Sequence, residues 1–158
     1  MKGLLNTLSL LFILLISYNS ISQNLVQSRV ANLVPGDYAT SGTVYLETFD
    51  NNTIQVRFDT DYLTQSNVFD VHVYLTNNTN YTAPINVSND YLIANIGTIS
   101  GLNYSSGAMT FPISSSVSID DYDHIVFVCI SFGQLHWAHG CLLYTSDAAD
   151  DEACVVVG

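Results

Sequence analysis

Short runs in which apolar and polar residues alternate fill the chain from Ser41 onward, and they constrain its fold more than any other feature. Successive side chains of a β-strand point to opposite faces, so a period of two predicts a strand with one buried face, whereas a helix has a period near 3.6. The run from Phe69 to Leu75 is one clear example. It places these residues on the predicted inward face: Phe69, Val71, Val73 and Leu75.

Further segments have the same strand character and are separated by turn residues. The segment His124 to Phe132 is almost continuously apolar, which is typical of a central strand covered on both faces. We therefore predict an all-β fold of about seven strands, an antiparallel β-sandwich or a partly open barrel. The other predicted strands are Gly42 to Phe49, Thr53 to Asp59, Leu92 to Ile99, Ala108 to Ile113 and Gln134 to His139.

The N-terminus has the features of an export signal. Lys2 provides a positive charge, Leu8 to Ile16 is apolar apart from Ser9, and Ser20 and Ser22 are the small residues that a signal peptidase requires. The apolar run is too short to cross a bilayer, which takes about 20 residues. We expect cleavage after residue 22, no membrane span in the mature chain, and a secreted, periplasmic or cell-surface location.

The charge balance excludes one large class of partners. The chain has 3 Lys and Arg against 14 Asp and Glu, a formal net charge of −11, so nothing neutralises the phosphates of a nucleic acid. Hydrophobic residues make up 48% and charged residues 11%, a composition that favours a folded core over disorder.

The C-terminal segment differs from the rest. Residues 141–151 (CLLYTSDAADD) resemble the translation of a transposon-end sequencing adapter. We therefore place 141–158 outside the domain as an artefactual tail, residues 23–40 as a polar lead-in, and the domain at 41–140. Of the three cysteines, Cys141 and Cys154 fall in the tail, which leaves Cys129 alone.

Several short motifs follow one another in a recognisable order: Ser41-Gly42-Thr43, 69–75 (FDVHVYL), 96–102 (IGTISGL), 107–112 (GAMTFP), Tyr122 with 125–132 (IVFVCISF), and Trp137-Ala138. This succession resembles the DM-thirteen domain, a family of secreted or cell-surface, all-β, electron-transferring modules. The resemblance covers roughly 40–140, and the family's characteristic cysteine falls on Cys129.

The resemblance implies a redox role for Cys129, with two mechanisms open. In one, Cys129 cycles as a bare thiol, which requires access to solvent and a redox protein partner. In the other, it is an axial ligand of a haem, with His136 as a possible helper. The chain has no Cys-x-x-Cys-His motif for covalent haem attachment. The residues alone favour a small buried hydrophobe at Cys129, and the resemblance makes the redox role equally well supported.

Other candidate sites are weaker. His136 and His139 are three residues apart, which on a regular strand directs them to opposite faces, so we expect no metal site there. No nucleophile elbow or phosphate-binding loop is present. The alternatives are therefore an electron-transfer module centred on Cys129 and a non-catalytic extracellular β-sandwich for adhesion or ligand binding. The sequence favours either of these modules over a stand-alone enzyme but leaves enzymatic activity open.

Overall fold

The computed structural model describes residues 23–65, 69–97 and 105–145, and every regular element in them is a β-strand. The predicted signal peptide lies outside these residues. The strands are β1 (Leu25–Asn32), β2 (Val34–Pro35), β3 (Thr40–Ser41), β4 (Thr43–Phe49), β5 (Ile54–Phe58), β6 (Leu63–Thr64), β7 (Val71–Thr76), β8 (Tyr91–Asn95), β9 (Met109–Ile113), β10 (His124–Cys129), β11 (Leu135–Cys141) and β12 (Leu143–Tyr144).

Two five-stranded antiparallel sheets form a β-sandwich, which confirms the predicted fold class. The first sheet has the order β12-β1-β4-β5-β9, and the second has the order β2-β11-β10-β7-β8. Strands β3 and β6 form a small separate ladder. The strand count exceeds the prediction because several strands are only two residues long and because β1 was not expected.

Strand β1 lies within the segment that we interpreted as a polar lead-in. It pairs with β4 along its whole length, from Leu25 opposite Phe49 to Asn32 opposite Thr43. The alternation was hard to read because one of the buried positions of β1 is Arg29, which is 5% exposed. Its guanidinium donates hydrogen bonds to the backbone carbonyl oxygens of Ile119, Tyr122 and Leu142. Buried arginine of this kind is tolerated only when such acceptors satisfy it.

The fold continues past Gly140. Strand β11 ends at Cys141, which is disulfide-bonded, and Leu142 is 1% exposed. Strand β12 then pairs with β1. Residues 141–144, which we placed outside the domain, therefore lie within the sandwich.

The hydrophobic side chains form two layers. The larger layer fills the space between the sheets, and its largest fully buried members include Phe58, Tyr62 and Phe127. The second layer lies on the outer face of the second sheet, where Val126 and Val128 pack against Ile85. Ile85 belongs to the connection between β7 and β8, residues 77–90, which we call the covering loop. The outer face of this sheet is thus a second, smaller interior.

One predicted inward residue is not buried. Phe69 precedes β7 and is 46% exposed, and its ring contacts Phe132 at a centroid distance of 6.2 Å. The strand begins only at Val71, so the prediction starts it two residues too early. The other predicted inward residues of this run are fully buried: Val71, Val73 and Leu75.

Candidate functional site

Cys129 is the last residue of β10 and faces the core between the sheets. It is a free cysteine and only 1% exposed. Burial raises the pKa of its thiol, backbone N–H groups of Phe132 and Asp70 oppose that rise, and the Asp70 carboxylate adds to it. The thiol is therefore protonated at neutral pH, which is the unreactive form.

The surroundings of Cys129 include a buried carboxylate. Asp70 is 6% exposed and accepts hydrogen bonds from the Ser131 hydroxyl, from His72 Nε2 at 3.0 Å and from Asn95 Nδ2 at 2.9 Å. Burial alone would raise the pKa of Asp70, but these hydrogen bonds and the neighbouring His72 lower it. A satisfied, charged carboxylate beside the sulfur disfavours the thiolate, because two negative charges would lie close together.

The two predicted haem ligands lie on opposite sides of the second sheet. Cys129 faces the inner core, whereas the His136 ring lies on the outer face and stacks on Tyr81 of the covering loop at 4.9 Å. A cavity of about 400 Å³ lies beside Trp137, bordered by Thr64, but Cys129 does not line it. The residues present do not fit a haem held jointly by Cys129 and His136.

The expectation that His136 and His139 face opposite sides is wrong. The register of β10 and β11 shifts between Phe127 and Val128, so that Ala138 pairs with Phe127 while His136 pairs with Val128. Trp137 is the extra residue of this β-bulge, and a bulge lets residues three apart share a face. His139 Nδ1 and His136 Nε2 are 3.0 Å apart. Trp137 turns to the other side, where its Nε1–H donates to Thr64 Oγ1.

Three of the four histidines lie close together on the outer face of the second sheet, and we call them the histidine layer: His124, His136 and His139. Burial lowers the pKa of all three, and for His139, which is 6% exposed, the value falls to about 4. The layer is therefore neutral at pH 7. Among the described residues no group of three or more His, Cys, Asp or Glu side chains is arranged to hold a metal ion.

A cleft of about 410 Å³ opens between the covering loop and the turn before β10. We call it the loop cleft. Asparagine side-chain oxygens of the loop accept hydrogen bonds from the backbone N–H two residues later in the chain. Asn78 accepts from Asn80 and Asn86 accepts from Ser88, and these bonds stiffen the wall of the cleft. The residues that line the cleft are Asn77, Asn78, Asn86, Asn89, Asp90 and Tyr122.

No protein-family model, curated protein or solved structure matches this chain. The resemblance to the DM-thirteen domain thus rests on the sequence motifs alone. The part of the chain that the structure describes also contains no helix with the length and hydropathy needed to cross a membrane.

Sequence reasoning identified Cys129 and His136 but not the loop cleft or the burial of His139. Asparagines of the loop were visible only as turn residues, since nothing in their spacing indicates which ones line a common cavity. Trp137 between two histidines gave no signal of a bulge, because a bulge is defined by the partner strand.

Proposed function

We propose that this chain is an exported, non-catalytic β-sandwich that binds a neutral, polyhydroxylated ligand, such as a saccharide, in the loop cleft. The observation that carries the proposal is the cleft itself, about 410 Å³ in volume and lined by amide groups, one carboxylate and one aromatic ring. Few precisely placed polar groups in a concave site are the usual mark of small-ligand recognition.

The polar groups of the cleft favour hydroxyl-bearing ligands. Asn77 is used structurally, since it donates to the Asp121 carbonyl oxygen and accepts from the Asp123 N–H, both at 2.8 Å. The exposed amide of Asn89 provides both donors and an acceptor, which suits a hydroxyl group. No lysine or arginine lines the cleft, so an anionic ligand finds no counter-charge.

The wall of the cleft is organised before a ligand arrives. The hydrogen bonds of Asn77 tie the covering loop to the turn at 121–123. Thr76 donates to Asp90 Oδ1 at 2.8 Å and so fixes the end of the loop to β7. A preformed wall avoids the entropy of ordering a loop on binding.

The proposal is tested with a panel of neutral oligosaccharides, monitored by ¹H–¹⁵N correlation spectra of the intact mature protein. We expect shifts confined to 77–90 and 120–123, and a roughly fivefold weaker Kd in Asn89→Ala, the equivalent of about 1 kcal/mol. The matched control Asn32→Ala changes an exposed asparagine on β1 and should leave Kd unchanged. Binding of a cationic amine probe instead of any saccharide, or equal effects of both variants, would contradict the proposal.

A second candidate function is electron transfer through Cys129, as the DM-thirteen resemblance implies. The observation that favours it is that backbone N–H groups of Phe132 and Asp70 point at the sulfur and oppose the rise in its pKa. The burial of the thiol supports the first candidate instead, because thiol exchange requires access.

Thiol labelling distinguishes the two candidates. If Cys129 is only part of the core, a maleimide should label it at least about a hundredfold more slowly in the native protein than in urea, because labelling then awaits a rare opening. A native rate close to the unfolded rate would favour the redox function. Haem added to the protein provides a second measurement. A thiolate-type Soret band that Cys129→Ser abolishes would also favour that function.

A further inference from the structure

The covering loop is held to the outer face of the second sheet partly by one aromatic stack. The ring of Tyr81 lies 4.2 Å from the ring of His139 and 4.9 Å from that of His136, at interplanar angles of 27° and 15°. The loop has a second anchor at Ile85, which is 1% exposed and whose N–H donates to the Gln134 carbonyl oxygen at 3.1 Å. The loop therefore has a polar aromatic anchor and an apolar one.

The polar anchor is unusual because several polar atoms in and around it lack partners. Six buried side-chain polar atoms of the described residues make no hydrogen bond, and four of them lie between this sheet and the covering loop. They are His124 Nδ1, His139 Nε2, the Tyr81 hydroxyl oxygen and Asp90 Oδ2. An unpartnered buried polar atom is costly, and the cost rises steeply when the group becomes charged.

The groups around the histidine layer determine how it responds to a proton. His139 faces the other two histidines, and Asp37 faces His136 from the turn after β2. His124 faces Asp123, which raises its pKa, and Arg29, which lowers it. The carboxylate of Asp90, at the end of the covering loop, raises the pKa of Tyr81 in that loop and of Tyr74 in β7. The centre of the layer thus has histidine neighbours where a stabilising carboxylate would be needed.

We propose that protonation of the histidine layer at acid pH releases Tyr81 and opens the covering loop, so that the loop cleft is intact at neutral pH and lost in acid. The consequence for ligand rests on the proposed function, but the loop movement itself does not. A proton on His139 places a charge between two other imidazoles and against the stacked Tyr81 ring. The Nε2 atom of His139 has no hydrogen-bond partner that could stabilise this charge. Opening the loop admits water to that charge.

The direction of the effect follows from the two states. In the open loop an exposed histidine has a pKa near 6.5, whereas in the closed loop burial lowers the pKa of His139 to about 4. Between these values the open form binds the proton more tightly, so acidification favours opening. Ile85 carries no titratable group, so we expect its packing against Val126 and Val128 to persist while the part of the loop around Tyr81 moves away.

The experiment is an NMR titration of the ligand-free mature protein from pH 7 to pH 4. We expect the Tyr81 ring signals and the loop amides to change with a midpoint between those two limits, while the amides of Val73 and Phe127 in the inner core do not move. In His139→Phe, which keeps a stacking ring but cannot be protonated, the loop change should be absent or shifted by at least one pH unit. His139→Gln provides a second variant should the phenylalanine disturb the packing.

His72→Gln is the matched control. His72 lies on the same sheet face but has a carboxylate partner, Asp70, at 3.0 Å, so its removal should leave the loop midpoint unchanged. A loop that stays closed at pH 4, a transition unaltered in both His139 variants, or simultaneous loss of loop and core signals would overturn the proposal. Because no ligand is present, a failure of saccharide binding leaves this outcome unaffected.

Discussion

At the scale of single residues, the type of a side chain sets which chemistry it can do, and its environment decides whether that chemistry is accessible. Cys129 is the residue type that the sequence singles out, yet its thiol is enclosed in the core beside a charged carboxylate. His136, which the sequence suggested as its helper, lies on the far side of the sheet. Asp70, by contrast, attracted no attention in the sequence and organises four side chains: His72, Asn95, Ser131 and, through His72, Tyr74.

Asp70 provides a prediction about pH. Its folded-state pKa is lowered, so its contribution to stability is present above the unfolded value near 3.9 and is lost as pH falls through the folded value. Asp70→Asn should therefore lower the free energy of unfolding by about 2 kcal/mol at pH 7. The difference from the native protein should shrink below about pH 4.

Urea unfolding at pH 7, 5 and 3 measures this difference. Asp61→Asn is the control, because Asp61 is exposed and its hydrogen bonds to Thr43 are open to solvent. We expect a clearly smaller loss there. A difference for Asp70→Asn that stays constant with pH would show that the charge is not what stabilises this corner.

At the scale of elements, close approaches and irregularities set the geometry that matters. The β-bulge at Trp137 brings His136 and His139 to one face, and without it the histidine layer would not exist. A second close approach lies where β8 ends. A Cβ atom on Gly97 would be only 2.2 Å from the Phe69 carbonyl oxygen and 2.8 Å from the Asp70 nitrogen, both backbone atoms that cannot move independently.

Gly97→Ala should consequently destabilise the protein by about 2–3 kcal/mol, because the chain around Phe69 and Asp70 must shift to admit the methyl group. Thermal and urea unfolding measure the loss. Leu92→Ala, at an exposed position on β8, should cost much less. If both substitutions have equal, small effects, the close approach at Gly97 is looser than the structure indicates.

At the scale of the whole molecule, the net charge of −11 acts against the compact state. Of the acidic groups, Glu47 and Asp70 are buried and partnered, by Arg57 and His72. Many of the others are exposed, so they repel one another through solvent, where salt screens them.

The melting temperature should therefore rise by several degrees between 20 mM and 500 mM NaCl at pH 7, since the Debye length falls from roughly 20 Å to a few ångström. The sequence pI is about 4.1, so the same change of salt at that pH should have little effect. A salt effect of equal size at both pH values would point to a cause other than charge repulsion.

The sequence by itself determined the secondary structure class and part of the inner core. A period of two is local, and it identified the segments that became β4, β5, β7 and β9, while a continuous apolar run identified β10; the predicted ends are correct to within three residues. It failed for β1, because a buried arginine interrupts the apolar pattern and only distant carbonyl oxygens compensate for it.

Only the tertiary structure decided the site. The face on which His139 lies depends on a register shift against β10, and the burial of Cys129 depends on the opposing sheet. The loop cleft depends on how residues 77–90 fold back over the second sheet. None of these is a property of neighbouring residues in the chain, since each depends on which distant segment supplies the contacts, and those contacts set exposure, charge state and access to a ligand.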